Sequence, residues 1–144
     1  MKRMIISIVI VAVLLVGFIV SIPLVNNLSA KKIEIQLVET DLPDNTEIVE
    51  SLSKAGKFVG NGNGMQYFGA MLIRSEKTLD ELSAYYSQKY MNMIVEEQKT
   101  QEIQCIEHGK ISFKTHISDA ADYYIVYLFG AGISPFSELD IRGH

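Results

Sequence analysis

The chain has a single cysteine, Cys105, among its 144 residues. One thiol cannot close an internal bridge, so a disulfide framework is excluded. Cys105 also lies far from the front of the chain, which leaves no lipobox there. Basic residues are scarce too: 13 Lys and Arg stand against 17 Asp and Glu. Lys2 and Arg3 are the only charges in residues 1–25, so residues 26–144 carry −6. A body of that sign repels phosphate backbones and lacks the basic footprint of a nucleic-acid binder. No internal repeat is present, and the apolar start contains no glutamate of the kind a type IV pilin-like leader carries.

What the chain does have is an uncharged run from Met4 to Val25, MIISIVIVAVLLVGFIVSIPLV. As a helix it would span about 33 Å, the thickness of a bilayer's hydrocarbon core. Soluble core helices rarely run so long without a polar face. A cleaved signal peptide is the rival reading. Those have shorter apolar regions and small residues before the cut, whereas Leu28-Ser29-Ala30 puts a bulky Leu where a small residue is wanted. The expected organisation is a transmembrane anchor over residues 1–25, a short linker over 26–32 and an extracytoplasmic domain over 33–144. Pro23 is expected in the last turn of the anchor, where a missing N–H does least harm. Lys2 and Arg3 before the span and Lys31 and Lys32 after it give only a slim charge bias. The expected orientation keeps the amino terminus in the cytoplasm, because only the other side carries content to export. Gly17 and Ser21 form a small-xxx-small pair through which two such helices can touch.

Beyond the anchor, KKIEIQLVE alternates Ile33, Ile35 and Leu37 with Glu34 and Gln36, which predicts a half-buried strand. Pro43 and its turn formers end it. TEIVESLSKAGKFV fits a helix capped by Asp44 and Glu47, but it leads into a glycine run and then a strand. A strand over about 47–59, bulged near Ala55-Gly56, is the preferred assignment. MQYFGAMLIRS reads as a central strand with two apolar faces, in which Gly69 marks close approach of another backbone. TLDELSAYYSQKYM reads as a helix with a Thr78/Glu81 capping box and a stripe of Leu79, Leu82, Tyr86 and Tyr90. NMIVEEQ and YYIVYLFG read as further strands. EIQCIEHGKISFKTHI reads as a hairpin turning at His108-Gly109, and the chain after Ala131 reads as loop. The class is α+β: an antiparallel sheet with one principal helix packed on a face.

GKFVGNGNGMQYFGAMLIRS followed by LDELSAYYSQKY resembles a group of small membrane-anchored or exported bacterial proteins of unknown function. These pair a Gly/Asn-rich hairpin with a Leu/Tyr-Tyr helix. The resemblance covers roughly residues 43 to 95. It implies the same fold class and anchor, and it carries no catalytic residue.

Few residues suggest chemistry. A phosphate-cradling loop needs a lysine and a helix directly after its glycines. After Gly60-Asn61-Gly62-Asn63-Gly64 come Met65 and a strand, so the loop is expected to be a turn, with a small anion nest as the alternative. Cys105, His108 and His116, with Asp119 or Asp122 as a fourth group, are the only candidates for a metal- or thiol-dependent site. Zinc spacing pairs two close ligands twice, and Cys-x-x-His occurs once. The simplest reading is a buried inert thiol with the histidines on the hairpin surface. Asp80 and Glu81 are explained by capping, and Glu96 and Glu97 point to opposite faces of their strand. The seven tyrosines suit interfaces. Asn61, Asn63, Tyr85 and Tyr123 are the candidate ligand-binding residues, for a glycan or peptide partner. The expected function is a membrane-anchored binding or interaction module that catalyses nothing and holds no cofactor or metal. The alternatives are an enzyme built on Cys105, His108 and His116, or a structural subunit of a membrane complex.

Overall fold

The computed structural model describes residues 2–90, 92–118, 121–131 and 134–144. It opens with one helix, α1 (Lys2–Val38), in which Pro23 is internal. The linker expected over 26–32 and all but the last residue of the KKIEIQLVE strand, residues 31–39, are part of this helix. Asn26, Ser29, Ala30, Ile33, Glu34 and Leu37 are buried, and they follow the i, i+3, i+4, i+7 spacing of a helical face. Ile35, which should face inward in a strand, is 44% exposed. The alternation misled because residues four apart share a face under both periods, so Ile33 and Leu37 satisfy a helix equally well.

Four strands follow in a single antiparallel sheet: β1 (Thr46–Gly56), β2 (Gln66–Ser75), β3 (Ile94–Glu97) and β4 (Tyr123–Ala131). Their order is β1-β2-β4-β3. β1 is bulged between Ile48 and Glu50 rather than near Ala55-Gly56. β2 is central, and every residue from Tyr67 to Ile73 is buried, as two covered faces require. Helix α2 (Leu79–Lys89) begins on the expected capping box. The Glu81 amide donates to Thr78 Oγ1, and the Thr78 amide donates to the Glu81 carboxylate at 2.8 Å.

The two sheet faces hold separate cores. One face carries Tyr67, Met71, Ile73, Tyr124 and Val126, covered by Ala30, Ile33 and Leu37 of α1 and by Leu82 and Tyr86 of α2. The fold therefore seats two helices on this face, with the inner half of α1 as the larger contributor. The other face carries Phe68, Leu72, Ile125 and Tyr127, covered by Phe58, Ile103, Ile111 and Phe113.

Residues 98–118, which supply most of that second cover, do not form the regular hairpin expected of them. They make one isolated bridge, Glu102 to Ser112, although Gly109 does take the turn conformation at φ +87°. Beside that bridge the Ile103 amide donates to the Ile111 carbonyl and the Phe113 amide to the Gln101 carbonyl, and further amides are satisfied outside the segment. The Phe58 carbonyl accepts from Glu107 and His108, and the Glu50 carboxylate accepts from the Lys114 and Thr115 amides. Amides satisfied by the Phe58 carbonyl and the Glu50 carboxylate need no partner in a longer ladder of the segment's own.

Candidate functional site

The most elaborate polar constellation lies where α1 leaves its apolar half and enters the domain. Asn26 is the first polar residue after the run and is fully buried. Its amide nitrogen donates to Asp140 Oδ2 at 2.8 Å and to the Phe136 carbonyl at 3.2 Å. Its carbonyl oxygen accepts from the Tyr67 hydroxyl at 2.8 Å. Asp140 is held in turn by Arg142, whose Nε donates to Oδ1 at 2.9 Å and whose Nη2 donates to Oδ2 at 2.6 Å. This two-point fork is the strongest common form of ion pair. Arg142 also reaches α1 directly, donating to Asn27 Oδ1 at 2.9 Å and to the Pro23 carbonyl at 3.3 Å. The Arg142 hydrogen bonds hold the Asp140 carboxyl well below the usual carboxylate range, with Asn26 adding to the effect against the cost of burial.

Residues 134–144 thus hold α1 as a latch. It has two short 3-10 turns, Ser137–Leu139 and Ile141–Gly143. The Gly143 carbonyl accepts from the Gly64 amide at 2.7 Å, and a Cβ on Gly143 would meet the Met65 backbone nitrogen at 2.8 Å. The same contacts bring the glycine-rich loop to the end of the sheet nearest the apolar half of α1.

A second constellation lies about two helical turns further on. Glu34 is buried, and its carboxylate accepts from Ser51 and Ser53 of β1 at 2.7 Å each, with Lys31 paired to it at 2.7 Å. Burial alone would raise the Glu34 carboxyl, but the bonds from Lys31, Ser53 and Ser51 outweigh it and hold the group below its ordinary value. The carboxylate serves as a polar rivet between helix and sheet.

The glycine loop is a turn, as expected. Gly60 and Gly64 adopt positive φ, which glycine reaches without the strain other residues meet. The loop is closed by Gln66, whose side chain accepts from the Phe58 and Val59 amides and donates to the Val59 carbonyl. The Gly60 amide donates to the Glu107 carboxylate at 2.7 Å, so this potential anion donor is taken by the protein itself.

The four residues expected to bind a ligand do not share a surface. Asn61 and Asn63 are exposed at the loop end of the sheet. Tyr123 sits at the opposite end, paired with Arg74, and packs with the loop-covered core. Tyr85 lies on α2 beside the helix-covered core, its hydroxyl donating to the Asp41 carbonyl and its ring 5.3 Å from the Lys89 ammonium. Of the paired tyrosines, Tyr86 and Tyr124 are buried and Tyr85 and Tyr123 half-buried.

Cys105 is half-buried, and desolvation pushes its thiol up to about 11. The groups around it are the Tyr127 hydroxyl and Glu96, and Tyr127 donates to Glu96 Oε1 at 2.8 Å. His108 turns its ring to the Gly60 carbonyl at 2.8 Å, and His116 is exposed. Asp119, offered as a ligand, lies outside the described residues. Among the described residues, no three His, Cys, Asp or Glu side chains are grouped to hold a metal ion.

Asn26, Glu34, Asp140 and Arg142 were not singled out by sequence reasoning. Asn26 and Glu34 do carry a signal, since they lie on the same helical face as Ala30, Ile33 and Leu37, but that face becomes visible only once the segment is read as helix. No protein-family model matches the chain, and neither a curated protein nor a solved structure matches it.

Proposed function

We propose that the protein is a single-pass, membrane-anchored module whose sheet domain lies outside the cytoplasm and organises a partner without catalysing a reaction. The observation that carries this reading is the continuity of α1. Its first half is long and apolar enough to cross a membrane by length and composition, and those side chains are exposed. The second half is built into the core of the domain. Cleavage after Ala30 would remove Asn26, Ser29 and Ala30 from that core, which favours an uncleaved anchor over a signal sequence. The polar groups that would attract a catalytic reading have structural occupations: Asp140 and Glu34 fasten α1, and Cys105 carries a raised thiol.

The rigid junction also favours the second reading, a structural subunit of a membrane complex, because a domain fused to its span without a linker holds neighbouring spans in fixed register. Two experiments separate these readings. Full-length protein in membranes should resist alkaline extraction, and protease added outside cells should degrade the chain beyond α1. Freely dissolved full-length protein with its amino terminus intact would overturn the anchor. Residues 2–22 should then be exchanged for an unrelated span and partners recovered from mild detergent. Retention of partners supports the binding module, and their loss assigns the function to the span.

A further inference from the structure

Leu139 and Ile141 are 52% and 86% exposed on the 3-10 turns of the latch, although large aliphatic side chains gain by leaving water. The latch sits at the same level as the apolar half of α1. The ring of Phe136 packs edge-on against Phe18, with centroids 5.6 Å apart. Phe18 is seven positions before the end of the apolar run at Val25, about 10 Å along the helix axis. Asp140 and Arg142 are fixed at Asn26, Asn27 and Pro23, so Ile141, between them in sequence, is held beside the last turn of that run.

We propose that this latch is a second membrane contact, in which Phe136, Leu139 and Ile141 enter the interfacial layer of the leaflet into which α1 emerges. The proposal rests on α1 being the membrane anchor. If α1 spans a bilayer, Phe136 can reach Phe18 only by passing below the headgroups, and the exposed Leu139 and Ile141 then face acyl chains instead of water. The charges nearby suit that depth. Of the two carboxylates on the latch, Asp140 is buried and neutralised by the Arg142 fork, whereas Glu138, beside Leu139, is exposed and has to stay at the headgroup level. Arg142 itself remains 36% exposed in its side chain, at the level where a guanidinium meets lipid phosphate. Beside it an open cleft of about 560 Å³ has Leu24 and Leu28 on its wall together with Lys31, Lys54 and Arg142. A cleft with leucines at the end of a span and cations alongside fits an anionic phospholipid, its acyl chain on Leu24 and Leu28.

The chain contains no tryptophan, so a single introduced indole reports its own surroundings without background. Full-length Ile141→Trp and Leu139→Trp, together with Leu14→Trp as the span control, are reconstituted into phosphatidylcholine/phosphatidylglycerol vesicles. Some vesicles carry lipid brominated high on the acyl chains and others carry lipid brominated deep. The expected result is a blue shift of I141W and L139W emission on reconstitution, with loss of most of it to the shallow quencher. L14W should lose its emission mainly to the deep quencher. Water-like, iodide-accessible emission from I141W while L14W is quenched would overturn the latch contact and leave the anchor standing. An I141W indole shielded from both bromolipid and iodide would assign the patch to a second copy of the chain or another protein, and would also overturn the proposal. Failure of quenching at L14W would bring down the anchor reading, and the latch contact with it.

Discussion

Gly69 of β2 lies directly against the Ile33–Glu34 peptide of α1: a Cβ on Gly69 would fall 2.8 Å from the Glu34 nitrogen and 2.7 Å from Ile33 Cγ2. Real Cβ contacts essentially never come so close, and backbone cannot swing aside as a side-chain tip can. Gly69→Ala must therefore lift α1 off the sheet or bend β2. The expected cost is about 2–3 kcal/mol, the upper part of the range for overpacking. Denaturant unfolding of the detergent-solubilised protein measures it. A variant as stable as the parent would mean that the helix does not rest on the sheet as described.

Acid should loosen the same seat. The Glu34 and Asp140 carboxyls are both held below their ordinary values in the folded protein. Groups lowered in this way contribute stability that is present above their unfolded pKa, near 4, and lost as pH falls through the folded one. Unfolding midpoints should be flat from neutrality down to about pH 5 and then decline. Glu34→Gln should be less stable than the parent at pH 7, and the gap should narrow in acid. A gap that stays constant to pH 3 would remove Glu34 from the account.

Tyr86 is fully buried, and among the described residues its hydroxyl has no hydrogen-bond partner. Such a group forfeits its water without replacement, at a cost of about 1–3 kcal/mol. Tyr86→Phe deletes the orphaned oxygen and little else, so it should leave stability unchanged or raise it by about 1 kcal/mol. A clear loss of stability on removing the oxygen would show that the hydroxyl does have a partner in solution.

Cys105 bears on the enzymatic alternative. With its thiol pushed up to about 11, little thiolate exists at pH 8, and the thiolate is the reactive form. Alkylation of the native protein by iodoacetamide should be at least tenfold slower than in denaturant. Rapid native labelling would reopen the thiol-dependent reading. The accompanying substitution of Cys105, His108 and His116 by Ala should leave partner recovery intact.

The elements legible in the sequence were those where local signals agreed with tertiary ones. The Thr78/Glu81 box marked the start of α2 without help from packing. The doubly apolar pattern from Tyr67 to Ile73 placed β2 at the centre, and Gly69 marked the backbone contact. The failures came where two periods coincide. Residues 33–38 alternate like a strand, yet they continue a helix that was already nucleated upstream, so extending it adds one bond per residue. The latch was invisible for a different reason. Asn26, Asp140 and Arg142 are ordinary surface types, more than a hundred positions separate the first from the others, and no local spacing announces their meeting.

The unbroken passage of α1 through Pro23 into the domain has a mechanical corollary. The stretch from Asn26 to Val38 is a lever about 20 Å long, clamped to the sheet by Gly69, Glu34 and the Arg142 fork. If α1 is the membrane anchor proposed above, a bilayer that thickens or thins would tilt the spanning half, at a small energetic cost per ångström. A tilt of about 10° would carry the far rim of the sheet, where Glu47, Glu76 and Asp122 gather beside Arg74, sideways by about 3 Å for each 20 Å of height. On that reading, whatever meets this rim would sense the thickness of the bilayer.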